Sequence, residues 1–313
     1  VKSKYELVED YVRQFLIGIG YYEVKTFSIV DASPLQSVNL WSDRGGVDIA
    51  NPLRQEESRL RTCLLPSLIR TKIYNMNHGV EQVKIFEVAK VYLAGDRLPQ
   101  EKTCLSLLAD VDYLTLKGIV ESLLVNLGVV SKCEWTSFTE PKLFKDKRAA
   151  VILLDNKILG YLGEASKELG FHKKLGQFKL DGTHKLGEMS TFCMLELDMD
   201  FLVEKSCFTK KYQTLSLYPS VLRDLAIIVD EEVTWADIEK CIKSVNISFL
   251  KEIKFFYYWI YRGKQIPAEK KSMAFNLCFQ AQDRTLKSEE VDIALQKILN
   301  ALQETLGGEL RKQ

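Results

Sequence analysis

Hydrophobic positions change period several times along the chain, and each change marks an element. Over residues 4–18, Leu7, Val8, Tyr11, Val12, Phe15 and Leu16 recur at i, i+3 and i+4. That spacing gathers apolar side chains on one face of a helix. Gly18 and Gly20 close it. The stretch YYEVKTFSIV, residues 21–30, alternates as a strand. Pro66 suits the first turn of a helix over 66–77. Residues 81–95 read as a strand pair or one long strand ended by Gly95, and 103–109 as a further strand. A second amphipathic helix covers 113–128 and stops at Gly128. Two apolar strands joined at Asp155-Asn156 read as a hairpin. TFCMLELDMDFLVEK is a strand running into a helix, with Asp200 as the expected N-cap.

Residues 206–217 fit neither period and read as a linker, so the expected division is 1–205, linker 206–217, and 218–313. After the linker the pattern resets. A strand at 222–230 is followed by Thr234 and Asp237, a capping box that opens a helix to about Val245. EIKFFYYWIY, residues 252–261, is an aromatic-rich strand in which Phe255, Tyr257 and Trp259 share one face and Phe256, Tyr258 and Ile260 the other. The next strand, 271–280, sets Met273, Phe275, Leu277 and Phe279 on one face and Ser272, Ala274, Asn276, Cys278 and Gln280 on the other. Ser288 is placed to cap a helix over 289–306, with Val291, Leu295, Ile298 and Leu302 as its stripe; Gly307 and Gly308 end it, and ELR adds a last strand. The order β-α-β-β-α-β is the split βαβ, or ferredoxin-like, arrangement. The fold class is therefore α+β: a mostly antiparallel sheet with helices, then a ferredoxin-like domain. Both helices of such a domain cover one sheet face. The face left open suits single-stranded bases.

Composition narrows the class. Apolar residues make up 46% and charged residues 27% of 313 positions, as in a globular protein, and no apolar run is long enough to span a membrane. The chain begins with Val, which reads as a segment or a processed form, and shows no signal peptide, so a cytoplasmic setting is expected. A net charge of +1 excludes a globally basic nucleic-acid binder while allowing a local patch. Seven scattered cysteines without a CxxC pair and three dispersed histidines argue against a zinc site; no metal site is expected. There is no HExxH, GxSxG or P-loop. Glu196, Asp198 and Asp200 alternate at a strand end, which fits a helix cap better than a metal. Arg59 and Arg61 stand where polar sequence turns abruptly apolar, a place for an anion clamp or for structural bonds to carbonyls and to Glu56 or Glu57. YRGKQIPAEKKS concentrates Arg262, Lys264, Lys270 and Lys271 against Glu269 alone, beside Tyr261, the best stacking candidate of the aromatic run.

YPSVLRDLAIIVDEEVTWADI, YRGKQIPAEKKSMAFNLCFQAQDRTLKSEEV and LGGELR resemble the ferredoxin-like anticodon-binding domain of phenylalanyl-tRNA synthetase. NPLRQEESRLRTCLLPSLI, KIFEVAKVY, LKGIVESLL and LGYLGEASKELG are similar to the catalytic-like domain of the bacterial-type β subunit of that enzyme. The resemblance implies a class II synthetase-like fold for the first domain, without chemistry of its own. In FEVAKVYLAGD, Leu93 falls about where a class II enzyme places its phosphate-clamping Arg, Lys90 stands nearby, and no GxGxxxR follows. It implies an α subunit as partner in an (αβ)2 assembly, ATP and Mg2+ used there rather than here, tRNA(Phe) as the nucleic acid, and no membrane. It assigns tRNA contacts to Arg223, Tyr261, Arg262, Lys264, Lys270, Lys271, Ser272, Ala274, Asn276 and Arg284, and subunit contacts to Tyr11, Phe15, Arg59 and Arg61. It predicts no catalytic residue. The alternative expectation is a standalone RNA-binding or regulatory module.

Overall fold

A computed structural model describes residues 2–54, 57–131, 133–140, 142–166, 192–209, 212, 214–256, 260–263 and 266–311. The chain divides into two compact units, Val1–Lys210 and Lys211–Gln313.

The first unit opens with α1 (Lys4–Gly18), started by a capping box in which the Ser3 hydroxyl accepts from the Glu6 amide and the Glu6 carboxylate accepts from the Ser3 amide. Short strands β1 (Tyr22–Glu23), β2 (Ile29–Val30), β3 (Val47–Asp48) and β4 (Arg59–Leu60) precede α2 (Leu65–Asn77). Strands β5 (Lys84–Leu93) and β6 (Gln100–Ala109) lead to α3 (Tyr113–Asn126); β7 (Cys133–Ser137), β8 (Phe144–Leu154), β9 (Lys157–Ala165), β10 (Cys193–Asp198) and α4 (Met199–Lys205) follow. Seven strands form one sheet in the order β1-β5-β6-β10-β9-β8-β7, antiparallel except for the β1–β5 pair. Alternation gives it two apolar faces. Phe86, Val88, Leu105, Leu107, Leu195 and Leu197 pack against α1, α3 and α4. Ile85, Leu108, Tyr161 and Met194 pack against α2 and the segment around Val38 and Leu40.

The 81–95 stretch holds one strand, Lys84–Leu93, and Asp155 and Asn156, both at positive φ (49° and 63°), make the hairpin turn between β8 and β9. The strand expected over 21–30 is interrupted. Lys25 Nζ donates to the Val88 carbonyl, and the Thr26 amide and hydroxyl both donate to Glu87, so this segment is tied to β5 through side chains rather than a ladder. Only β2 beyond it pairs again, in the small sheet β2-β4-β3. The cap of α4 is Asp198, whose carboxylate accepts from the Phe201 amide, not Asp200, which lies within the first turn.

The second unit runs β11 (Val221–Asp230), α5 (Trp235–Ser244), β12 (Leu250–Phe255), β13 (Lys270–Phe279), α6 (Ser288–Leu306) and β14 (Glu309–Leu310), in sheet order β12-β13-β11-β14. This is the expected ferredoxin-like topology. Thr234 and Asp237 form the anticipated capping box. Ile238 and Ile242 of α5 and Val291, Ile298 and Leu302 of α6 bury against Ile227, Val229, Phe275 and Leu277, so both helices lie on one face. The residue before α6 is Lys287, whose amide donates to Glu290; Ser288 is the first helical residue rather than the cap. Of the aromatic run, Phe255 turns to the helix face and stacks on Trp235, centroids 4.6 Å apart, while Tyr257, Tyr258 and Trp259 lie outside the described residues.

Candidate nucleic-acid interface

Strand register orders the helix-free face of the second unit into rows. Phe256 donates its amide to the Ala274 carbonyl, Ala274 sits opposite Ala226, and Arg311 donates its amide to the Ala226 carbonyl. One row therefore reads Phe256, Ala274, Ala226, Arg311. In the next, Tyr261 exchanges both backbone bonds with Ser272, which faces Ile228, which faces Glu309. Tyr261 and Arg311 enter from opposite edges and meet over the small residues between them. The Arg311 guanidinium carbon lies 4.6 Å from the centroid of the Tyr261 ring, a cation–π contact. Gly263 is required here: a Cβ on it would come within 2.2 Å of the Tyr261 hydroxyl. The pair explains why Ser272 and Ala274, expected to be open, are only 1% and 8% exposed, whereas Tyr261 keeps 40% of its surface. Ser272, Ala274 and Asn276 do occupy the helix-free face, as alternation required, but as a floor beneath larger side chains.

The basic candidates separate. Arg223 pairs with Leu277 on the helix side and reaches Asp292 of α6 at 3.7 Å; strand parity turns it away from the open face. Lys271 also belongs to the helix side and is buried, its Nζ donating to the Glu231 carbonyl at 2.7 Å. Neither is available to a ligand on the open face. Arg284 is held by a bidentate pair of 2.7 Å bonds to Glu290, and that guanidinium, with the Lys287 amide, draws the Glu290 carboxyl down to about 2. It fastens the start of α6. Arg262 is exposed and bonded to Glu231, whose carboxyl it holds below the usual range; Lys270 lies 3.8 Å from Asp230. Lys264 lies outside the described residues. Sequence reasoning missed Arg311. The signal was in ELR: with Leu310 on the strand, the next residue falls on the opposite face.

In the first unit the α2 side of the sheet is the candidate for a nucleotide site, and its cations are paired with its own carboxylates. Glu196 of β10 is fully buried and accepts four bonds: from Trp41 Nε1 and the Ser106 hydroxyl at 2.7 Å, and from the amides of Leu64 and Leu65 at 2.7 and 3.2 Å. It thereby closes the amino end of α2, which has no local side-chain cap. Burial raises its carboxyl above the usual range in spite of these donors. Lys102 is paired with Asp198 and lies 4.8 Å from the Trp41 ring. Arg61 is 2% exposed; it bonds the Lys90 carbonyl at 2.9 Å, Thr26 Oγ1 at 2.9 Å and Glu87 at 3.2 Å. Being internal, it is withdrawn as a subunit contact, and its carboxylate partner is distant in sequence. Arg59 pairs with Asp48 at 2.6 Å across the small sheet. Leu93 is buried and Lys90 is paired with Glu101. Among the described residues, the carboxylates Glu87, Asp110 and Asp198 of this side are met by Arg61, Lys72 and Lys102, while Glu196 is met by neutral donors.

The Arg61–Glu87–Thr26 cluster also fixes what lies around it. Tyr22 and Phe27 flank the tied segment and are 75% and 87% exposed. Tyr11 and Phe15 are half-buried against the core of α1, Tyr11 with its ring centroid 5.9 Å from that of Phe208. No cluster of three or more potential metal ligands occurs among the described residues, and no described helix is long and apolar enough to cross a membrane.

Residues 216–311 match the family model for the ferredoxin-fold anticodon binding domain. Residues 1–178 match the model for the phenylalanyl-tRNA synthetase beta chain CLM domain; the chain belongs to the phenylalanyl-tRNA synthetase β-chain family. It is 31% identical over 99% of its length to the phenylalanine–tRNA ligase beta subunit of Clostridium acetobutylicum, and 32% identical over 96% to that of Listeria monocytogenes. It spans 38% and 37% of those relatives. Among solved structures, the pyrrolysyl-tRNA synthetase of Desulfitobacterium hafniense is similar at a TM-score of 0.45 and 16% identity, over 64% of this chain and 68% of that one.

Proposed function

We propose that this chain serves phenylalanine–tRNA ligase as a non-catalytic part of its β subunit, binding tRNA(Phe) through the helix-free face of the second unit. The single observation behind this reading is the Tyr261–Arg311 pair laid over Ser272 and Ala274. An aromatic ring with an exposed surface, backed by a guanidinium and set on a floor of small residues, is a stacking platform with a phosphate-seeking charge beside it. Stacking on one aromatic contributes about 1–3 kcal/mol per base. Tyr261→Ala should therefore weaken tRNA(Phe) binding by roughly ten-fold or more, measured as Kd on the chain; an unchanged Kd would sink the reading.

The first unit acts by supporting an α subunit. ATP and Mg2+ are used at the α subunit, in an (αβ)2 assembly that joins phenylalanine to its tRNA in the cytoplasm. Two observations support this part: the sheet face whose cations Arg61, Lys72 and Lys102 are paired with its own carboxylates, and the outward Tyr22 and Phe27 held by an internal ion-pair cluster. Replacing both by Ser should abolish co-purification of the α subunit while leaving the thermal transition of the chain in place. Equal recovery of α with this variant would refute the docking role.

A further inference from the structure

The open face has a third row, of different chemistry. Lys254 of β12, Asn276 of β13 and Asp224 of β11 stand side by side. Asn276 is 8% exposed and donates its side-chain amide to Asp224 Oδ1 at 2.8 Å; Asp224 itself is exposed. A carboxylate has about four acceptor sites, so the amide fixes its orientation and leaves it able to accept further donors from solvent. The Lys254 ammonium lies 3.3 Å from Glu252, so the nearby cation is engaged along its own strand. Two residues of strand rise, about 7 Å, separate this row from the row of Arg311. That is the scale of one nucleotide step.

We propose that Asp224, oriented by Asn276, is a specificity-determining residue of this face and accepts from a base edge presenting two adjacent N–H donors. Among the four RNA bases that edge belongs to guanine, through N1–H and the 2-amino group. Adenine and cytosine set a ring-nitrogen acceptor beside their amino group, and uracil flanks its one N–H with two carbonyls. Each of these turns lone pairs toward the carboxylate. Asp224 lies within the ten-residue β11–β13 ladder and is bonded by the Asn276 amide, so the acceptor is in position before RNA arrives. A base stacked at Tyr261 and another read at Asp224 would lie on either side of the Arg311 row. The inference rests on the RNA-binding reading given above.

The test uses the full 313-residue chain and anticodon-type RNA hairpins with guanine replaced, one loop position at a time, by inosine, which lacks only the 2-amino group. Binding is followed by fluorescence anisotropy. The wild-type chain should lose about five- to ten-fold in affinity on replacement at one position. Asp224→Asn should bring that guanine-to-inosine ratio close to one, and Asn276→Leu, which leaves the carboxylate unoriented, should lower it in part. The Leu variant decides the matter if the Asn variant unfolds. A ratio unchanged in the folded variants overturns this inference alone when Tyr261→Ala still weakens binding. Absence of hairpin binding by the wild-type chain overturns it together with the RNA-binding reading.

Discussion

Glu196 shows how one side chain can decide the character of a whole sheet face. Its carboxylate is the acceptor for the indole of Trp41, the hydroxyl of Ser106 and the first amides of α2, all without access to water. Truncation leaves those donors buried and unpaired, each at a cost of about 1–3 kcal/mol. Glu196→Ala should destabilise the first unit by about 3–5 kcal/mol in urea unfolding. The pH dependence has a definite sign. Burial raises the folded carboxyl, so between about pH 4.3 and the folded value the native state binds more protons than the unfolded chain, and this contribution to stability falls as pH rises. Glu196→Gln has no proton to lose. Its melting temperature should decline less from pH 4 to 7 than that of the wild type, and parallel profiles would refute the assignment. None of this was visible at residue level in the sequence, where Glu196 belonged to an acidic alternation that fitted a helix cap. The alternation is real; the burial of Glu196 comes from partners 90 or more positions away.

At the scale of elements, local chemistry determined most starts and stops. Ser3 and Thr234 build their capping boxes, Asp155-Asn156 takes the left-handed turn, and Gly307 ends α6 at φ 62°. Gly128 after α3 adds a tertiary constraint. Its φ is 67°, and a Cβ on it would sit 1.9 Å from the Cys207 carbonyl oxygen, because the Cys207 amide crosses there to bond the Leu127 carbonyl. Gly128→Ala combines left-handed strain with a backbone clash and should cost at least about 2 kcal/mol, measured by chemical denaturation. A neutral result would mean that the 206–208 segment does not pass over this helix end. The element least legible in advance was the 21–30 strand, since its interruption depends on Glu87, a residue on another strand. Strand β13 was the reverse: parity assigned its two faces correctly, yet could not show that its small residues lie under a tyrosine and an arginine arriving from opposite sheet edges.

For the whole molecule, charge is balanced, and residues 218–313 contain 14 basic and 14 acidic side chains. The open face and its rim offer Lys254, Arg262 and Arg311 as cations. Three phosphate contacts give a slope of about −2 to −3 in log affinity against log salt. A slope near −10 for tRNA binding would mean that an extensive basic surface elsewhere carries the interaction.

The order of apolar and polar residues was sufficient for the α+β class, the βαββαβ topology and the two faces of the second sheet, because periodicity and capping are local properties of the chain. Motif order was sufficient for the family. Pairing partners were decided only in three dimensions. Arg61 became a buried structural ion, Arg223 and Lys271 turned to the helix side, and Arg311 crossed the sheet to Tyr261. A charged side chain in sequence has no fixed partner. It acquires one when strand register and burial choose which carboxylate, carbonyl or ring lies within a few ångströms.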